Sequence, residues 1–240
     1  MTICYEGTRY DGWQRQGTTD QTIQGKLEAV LSRMCGAPVE VQGSGRTDAG
    51  VHALEQVANA HMETGLTAPE IRDYLNRYLP ADISVEEVTE AGPRFHSRLN
   101  ARGKTYRYRI YVGDAKPVFE RNYVWAAGEP LSVERMEAAA EYFLGEHDFK
   151  SFCANRRMKK STVRRIDSLT VRRHGKEIWI TVTGNGFLYN MVRIITGTLY
   201  EVGTGQRAPE EILEILEKQD RQAAGITAPP QGLTLLKVLY

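Results

Sequence analysis

The sequence predicts an α+β fold in two halves, built on a mixed and mainly antiparallel sheet. In residues 1–103, segments that alternate like strands and segments with helical apolar spacing follow in the order strand, helix, strand, strand, helix, strand. That order is typical of a split βαβ, ferredoxin-like unit. A looser version of the same order continues in residues 104–240. We therefore expect two ferredoxin-like halves, 1–103 and 104–240, with a central cleft where they meet.

The helices of the first half are marked by their ends. Thr22 is a suitable N-cap for a helix that Gly36 ends. The run Thr67-Ala68-Pro69-Glu70 is a capping box with proline in the first turn, and it opens a second helix that stops at Pro80. The strands predicted for this half cover residues 2–6, 39–42, 56–62 and 83–88.

The second half has longer periodic segments. Tyr106, Tyr108 and Ile110 alternate along one face of a strand. A turn at His174-Gly175 separates two further strands. The predicted elements are a strand at 106–112, a helix at 132–144, strands at 169–173 and 178–184, a helix at 188–202 and an acidic helix from 209 to about 221.

The composition is that of a globular protein with a substantial core. Of 240 residues, 25% are charged and 41% hydrophobic, and a chain of this size buries roughly 70–75% of the surface that its unfolded form exposes. Cys4, Cys35 and Cys153 lack the spacing of a disulfide framework or a zinc site, which favours a reducing cytoplasm. The sequence shows no leader pattern and no apolar run near ~18 residues. We expect a cytoplasmic protein without a membrane partner.

Positive charge is concentrated in one part of the chain, residues 150–176, which we call the basic segment. The formal net charge is +1, yet this segment holds ten Lys or Arg and one acid, so it carries +9 and the remainder −8. A basic patch on an acidic body favours a polyanionic ligand. The aromatic residues Phe149 and Phe152 beside the cations favour RNA as that ligand. The alternative is a solvated loop without a ligand. The candidate RNA contacts are Arg156, Arg157, Lys159 and Lys160.

A glycine-rich stretch at 43–53 places a carboxylate and a guanidinium together. Three glycines in eight residues indicate a backbone that turns sharply and lets a ligand approach closely. Asp48 and Arg46 lie inside this turn, and a loop between two strands is a rigid mount for reactive groups. The alternative is an ordinary hairpin loop in which Asp48 caps backbone N–H groups.

Two further side chains are candidates for a site. Arg193 lies on a predicted helix that is apolar on most sides, and a buried guanidinium is costly unless it is paired, so we expect a carboxylate partner, with Asp48 the best candidate. The alternatives are a structural salt bridge or an arginine that reaches out to water. Tyr106 begins a strand after a basic stretch and faces either a cleft or the core. The histidines have no metal-ligand spacing.

The string GRTDAGVHA at 45–53 resembles the catalytic signature of the tRNA pseudouridine synthase A family. Four more blocks resemble this family in the same order: YEGTRYDGWQRQ, FHSRLNARGKTYRYRIY, GNGFLYNMVRIITGTLYEVG and APPQGLTLLKVLY. Together they cover nearly the whole chain. One difference is that the chain begins almost directly on its first strand, so the N-terminal segment typical of the family is shortened or missing.

The resemblance implies a pseudouridine synthase fold with its active site in the central cleft, and an isomerase that needs no cofactor or metal. Asp48 matches the catalytic aspartate, and we expect it to be the nucleophile, with Arg193 its partner. Tyr106 matches the active-site tyrosine that stacks on the loose uracil, and Arg46 matches an arginine that contacts a phosphate or helps extrude the base. His96 and Arg98 fall in a block near the substrate cleft.

By the same resemblance, the substrate is tRNA at uridines 38–40 of the anticodon stem, and the enzyme is a homodimer. The sequence leaves open whether the carboxylate attacks C1′ of the ribose or C6 of the base. One alternative function is a non-catalytic ferredoxin-like RNA-binding module. Another is a phosphatase with an aspartate nucleophile, which needs an acidic metal-binding cluster that the sequence around Asp48 lacks.

Overall fold

A computed structural model describes residues 1–155 and 157–240, and the chain divides into two compact units. The first unit comprises Met1–Arg102 and Thr234–Tyr240, and the second comprises Gly103–Leu233. The sequence-based division placed the last seven residues with the second half, whereas they pack with the first unit.

Both units contain strands and helices. In the first unit they begin with β1 (Thr2–Tyr5), α1 (Ile23–Cys35), β2 (Val41–Gly43), β3 (His52–Ala60), α2 (Ala68–Tyr78) and β4 (Ile83–Glu87). The second unit contains β5 (Gly103–Tyr111), β6 (Trp125–Ala126), α3 (Val133–Glu141), β7 (Gly145–Asp148), β8 (Val163–His174), β9 (Glu177–Gly184), α4 (Met191–Gly203) and α5 (Glu211–Lys218). The strand β10 (Leu233–Leu239) closes the chain.

The sheet of the first unit has the strand order expected of a ferredoxin-like half. β1 lies between β4 and β3, and β2 pairs with the end of β3 that carries Ala60. These pairings are antiparallel, so the order is β4-β1-β3-β2. β10 pairs in parallel with the other end of β3, where Leu235 lies opposite Ala53. The predicted α+β class with a mainly antiparallel sheet is confirmed.

The helices of the first unit begin and end where the sequence predicts. The Thr22 hydroxyl accepts a hydrogen bond from the Gly25 amide at 3.2 Å, and Gly36 ends α1 in the left-handed conformation with φ of 67°. Thr67 and Glu70 form the capping box of α2. No helix among the described residues is both long and apolar enough to cross a membrane.

The second unit surrounds its own core. β9 pairs antiparallel with β5 on one side and β8 on the other, and β7 extends the sheet beyond β8. α3 packs against α4 and β8, while α4 also contacts β5. Tyr108, Ile180 and Leu199 are fully buried between these layers. The predicted faces of β5 and α4 are confirmed by the burial of these residues.

Several strands differ from the sequence prediction. β7 was not expected because Gly145–Asp148 has no apolar alternation, and it forms by pairing with β8. β8 begins at Val163, so the second part of the basic segment is strand rather than loop. Phe149 and Phe152 are fully buried and contact each other edge-on, so the interpretation of these rings as RNA-facing is wrong.

A carboxylate before β4 fixes the segment that follows β1. The Tyr10 hydroxyl donates to Asp82 Oδ1 at 2.5 Å, and Arg9 Nη2 donates to Oδ2 at 2.6 Å. Burial works toward a higher pKa of Asp82, but the hydrogen bonds from Tyr10 and Arg9 outweigh it and hold this pKa below its ordinary value.

Asp82→Asn is expected to lower the free energy of unfolding at pH 7 by about 1 kcal/mol, since the tyrosine hydroxyl loses a charged acceptor. Because the folded pKa of Asp82 is depressed, its stabilisation exists above the unfolded pKa, ~3.9, and is lost as pH falls through the folded value. Urea unfolding between pH 7 and pH 2.5 measures this. Asp73→Asn, at an exposed pair on α2, is the matched control. A difference between parent and Asp82→Asn that stays constant down to the lowest pH would contradict the prediction.

Candidate active site

The loop between β2 and β3 carries Asp48 and is tied to the sheet at its start. The Ser44 amide donates to the Val57 carbonyl at 2.8 Å, and the Ser44 hydroxyl donates to Gln56 Oε1 at 2.6 Å. The Gln56 amide in turn donates to the Gly45 carbonyl at 3.1 Å. Ser44 and Gln56 are fully buried, so these bonds do not compete with water. The first turn of the loop is therefore rigid.

The residue before Asp48 is held from two other elements. Thr47 is buried, and its hydroxyl shares a hydrogen bond of 2.8 Å with the Tyr5 hydroxyl on β1. Its carbonyl accepts from the Trp13 amide at 3.0 Å. Burial raises the pKa of Tyr5, so this phenol stays protonated. Both the backbone and the side chain next to Asp48 are thus fixed.

The segment that contains Gly12 and Trp13 lies directly against this loop. Gly12 has φ of +94°, and a Cβ there would lie 2.7 Å from the Thr47 carbonyl oxygen and 3.2 Å from the Asp48 carbonyl carbon. A Cβ on Gly43 would lie 2.5 Å from the Trp13 ring. Contacts this close exclude a side chain at either position. The sequence blocks contained these residues, but their role depends on contacts between distant segments, which periodicity does not reveal.

Asp48 and Arg46 lie at the tip of the clamped loop. Asp48 is half-buried and its carbonyl accepts from the Val51 amide at 3.1 Å, which closes a turn that passes through Gly50 at φ of +79°. The Arg46 side chain is exposed. His52, which ends the turn, is buried, and its Nδ1 accepts from the Gly7 amide at 3.0 Å. The loop is a rigid mount that presents one carboxylate and one guanidinium.

Tyr106 lies on β5 in the second unit, opposite Val182 of β9. It is only 8% exposed, and its ring meets the edge of Phe187 with centroids 5.2 Å apart and an interplanar angle of 86°. Such edge-to-face contacts stabilise ring orientation. Phe187 was not singled out from the sequence, although it stands three residues after the end of β9 in a block that matched the family.

Arg193 lies in the first turn of α4, where most neighbouring side chains are buried. Its Nε donates to the Ala228 carbonyl at 2.8 Å, and its Nη1 donates to Asn190 Oδ1 at 3.1 Å. The Ala228 amide donates back to the Arg193 carbonyl at 3.1 Å. Within the second unit the guanidinium is therefore oriented by a carbonyl and an amide oxygen. The pairing of Arg193 with Asp48 stays a prediction.

The block that contains His96 and Arg98 forms a compact turn in the first unit. The buried Ser97 donates from its hydroxyl to the Gln42 carbonyl at 2.6 Å, and its carbonyl accepts from the Tyr240 hydroxyl at 2.6 Å. His96 is half-buried, and its Nδ1 accepts from the Arg98 amide at 3.1 Å. Arg98 is exposed. His96 thus stabilises its own turn, while the Arg98 side chain is available to a ligand.

The loop part of the basic segment borders a cavity of about 670 Å³. Lys159 and Lys160 line this cavity. Arg157, Lys159 and Lys160 are all exposed, as the sequence predicts, and no carboxylate lies within ion-pairing distance of them among residues 1–155 and 157–240. Arg156 lies outside the described residues. On β8, by contrast, Arg165 pairs with Asp167 at 2.7 Å and Arg172 pairs with Glu137. Arg157, Lys159 and Lys160 differ in this respect from these two paired cations of β8.

A family model described as tRNA pseudouridine synthase matches residues 1–100 and 139–240. The chain is 51% identical over 235 residues to a tRNA pseudouridine synthase A from Bacillus sp. strain KSM-64, covering 98% of this chain and 96% of that protein. The chain belongs to the tRNA pseudouridine synthase family. Members of this family are isomerases that act on tRNA without a cofactor, so the predicted family, fold class and enzyme type are confirmed.

Another relative is similar over nearly its full length. A tRNA pseudouridine synthase A 2 from Bacillus anthracis is 46% identical over 240 residues, covering 100% of this chain and 98% of that protein. A solved structure of a Cbf5–Nop10–Gar1 complex covers 99% of this chain and 48% of the matched chain, at 12% identity and a TM-score of 0.39. A TM-score that low carries no weight for fold or function. Membership of the synthase family favours an isomerase over the RNA-binding and phosphatase alternatives.

Gly12→Ala is expected to displace the Asp48 loop of this tRNA pseudouridine synthase family member. The free energy of unfolding should fall by about 1–3 kcal/mol more than in Gly36→Ala, because a Cβ at position 12 meets the Thr47 carbonyl. Turnover should fall more than ~10-fold, since a misplacement of about 1 Å can cost ~10²-fold.

Gly36→Ala is the matched control because Gly36 also has positive φ, but a Cβ there meets nothing within 4 Å. Denaturant unfolding and a tritium-release assay, run on both variants, measure the two effects. Equal losses in the two variants would mean that backbone strain alone matters and that Gly12 does not position the loop.

Proposed function

We propose that this chain converts uridine to pseudouridine at positions 38–40 of the tRNA anticodon stem, with Asp48 as the nucleophile. The observation that carries the proposal is a carboxylate at the tip of a loop whose flanking residues are fixed by buried hydrogen bonds, within the string GRTDAGVHA. The choice of uridines 38–40 is supported by the resemblance to the tRNA pseudouridine synthase A family.

The reaction rearranges bonds without any change in oxidation state. The N1–C1′ bond breaks, the freed uracil rotates, and a C5–C1′ bond forms, while the proton leaves C5 and a proton is taken up at N1. A positioned carboxylate can serve as nucleophile, either at C1′ of the ribose or at C6 of the base. A rigid loop suits this role because the nucleophile is then held in a geometry from which it can react.

Two residues of the second unit complete the proposed chemistry. Tyr106 stacks on the uracil while the base is detached, and base–aromatic stacking contributes roughly 1–3 kcal/mol. The edge contact with Phe187 supports this role because it fixes the ring. Arg193 keeps Asp48 ionised, since a guanidinium beside a carboxylate lowers its pKa. The family motif supports this pairing.

The remaining candidate residues bind RNA. Arg46 is proposed to contact a phosphate or to help extrude the target nucleotide, which costs a few kcal/mol. Arg98, Arg157, Lys159 and Lys160 are exposed cations suited to phosphates. Arg156 and His96 belong to the same proposal, although the Nδ1 of His96 already accepts a backbone hydrogen bond.

The proposal also includes a homodimer in the cytoplasm. The dimer rests on the family resemblance. The compartment is supported by the three cysteines, which are all free thiols.

Asp48→Asn should abolish isomerisation and leave tRNA affinity within a few-fold, because affinity comes chiefly from phosphate contacts. Tritium release from tRNA labelled at C5 of uridine, under single-turnover conditions, measures the chemistry, and filter binding measures affinity. Asp73→Asn, which removes an exposed carboxylate of α2 in the same unit, is the control and should stay active. Residual turnover within ~10-fold of the parent excludes Asp48 as the nucleophile.

A tRNA without uridine at positions 38–40 that still releases tritium would contradict the proposed target.

Reversing the charge of Arg157, Lys159 and Lys160 to Glu should weaken tRNA binding and flatten its dependence on salt, because fewer counterions are released. The fold should survive, since all three side chains are exposed. Binding is measured as log Kd against log salt concentration. The control is Arg165→Glu with Arg172→Glu, on β8, where both cations are already paired with carboxylates. An unchanged slope in the loop variant would show that the loop does not contact RNA.

A further inference from the structure

Asn190, just before α4, has an unusual backbone conformation. Its φ of 60° and ψ of 10° place it in the left-handed region, and among the described non-glycine residues only Gln219 shares a positive φ. Left-handed backbone is uncommon outside glycine, and Asn tolerates it better than most residues. The Asn190 carbonyl accepts the first helical hydrogen bond, from the Ile194 amide at 2.9 Å. This conformation turns the chain into the helix that carries Arg193.

The Asn190 side chain contacts the guanidinium three residues later. Arg193 Nη1 donates to Asn190 Oδ1 at 3.1 Å, while Nε donates to the Ala228 carbonyl at 2.8 Å. A guanidinium is planar, so fixing two of its nitrogen atoms also fixes the direction of the third. Removing the Asn190 bond takes away an acceptor at Nη1, a nitrogen that moves when the guanidinium rotates about the Nε–Cζ bond.

The second acceptor, the Ala228 carbonyl, belongs to a segment that is tightly bound to α4. The Gly225 amide donates to the Thr198 hydroxyl at 3.0 Å, and the Ile226 amide donates to Glu201 Oε1 at 2.9 Å. Gly197 has no room for a Cβ because the Ile226 carbonyl lies against it. Ala228 is therefore a rigid backbone acceptor, and Asn190 is the acceptor that a substitution can remove.

We propose that Asn190 is a positioning residue that holds the Arg193 guanidinium in the orientation required for isomerisation. The inference rests on the proposed role of Arg193 in the reaction. Asn190 fits this task twice over, because its backbone tolerates the left-handed turn and its side-chain oxygen reaches Nη1.

The deciding variant is Asn190→Gly, which keeps the left-handed turn without strain and removes the acceptor. We expect kcat to fall about 10–100-fold, since the hydrogen bond is made to a charged group, while KM stays within a few-fold. Asn190→Asp retains an oxygen at the same place and should restore most of kcat. Gln219→Gly makes the same exchange at the other left-handed residue and should leave kcat unchanged.

A second measurement does not depend on activity. In protein labelled with ¹⁵N-arginine, the two Nη resonances of Arg193, assigned by their loss in Arg193→Lys, should be separate in the parent because rotation is slow. In Asn190→Gly they should broaden or merge, and in Gln219→Gly they should not change. Unchanged Nη resonances in Asn190→Gly would overturn the inference.

The kinetic outcomes separate this inference from the proposed function. If Arg193→Met, which removes the charge, keeps full activity, the catalytic role of Arg193 falls, and the positioning role of Asn190 falls with it. If Arg193→Met is inactive but Asn190→Gly keeps its kcat, only the positioning role of Asn190 falls. Asn190→Ala removes the same acceptor but strains the left-handed turn, so its kcat is compared with its free energy of unfolding.

Discussion

The contact on which the proposed site depends most is the approach of Gly12 and Trp13 to the loop that carries Asp48. The Trp13 amide donates to the Thr47 carbonyl. Gly12 can lie against the same carbonyl because it has no Cβ. The buried Tyr5 hydroxyl holds the Thr47 side chain from the opposite strand. A nucleophile needs a fixed direction of attack, and these hydrogen bonds fix the backbone from which the proposed nucleophile, Asp48, projects. Loops that carry function are usually the mobile parts of a fold, and in this molecule neighbouring segments remove that mobility.

The second unit holds Arg193 by the same physical means. A backbone carbonyl fixes one nitrogen of the guanidinium, and a glycine on α4, Gly197, lets the segment that supplies the carbonyl lie directly on the helix. In both units a residue without a side chain permits close contact between two segments, and the contact then orients a charged group. An arginine held at two nitrogens loses little entropy when it meets an anion, because its geometry is already set.

The sequence predicts most elements because their signals are local. Thr22 and Gly36 mark the ends of α1 through capping and a left-handed residue, and both lie within a few positions of the helix. β7 gives no such signal, since Gly145–Asp148 is a strand only because β8 lies beside it. The same distinction holds for the proposed site. Asp48 is found from a contiguous string, whereas Phe187 and Asn190 matter through contacts that exist only after folding.

The cations proposed to bind RNA and the carboxylate proposed to react with it lie on separate parts of the chain. The +9 of the basic segment already counts Asp167, which pairs with Arg165, and Glu137, outside the segment, pairs with a further cation, Arg172. Arg157, Lys159 and Lys160, on the loop before β8, are exposed and have no carboxylate within ion-pairing distance among the described residues. Exposed lysines add affinity through released counterions and need no fixed geometry. A nucleophile needs fixed geometry and adds little affinity. On the proposed assignment, the phosphate-binding charge lies on an open loop and the reactive carboxylate on a clamped one, so a change to either should leave the other's task largely intact.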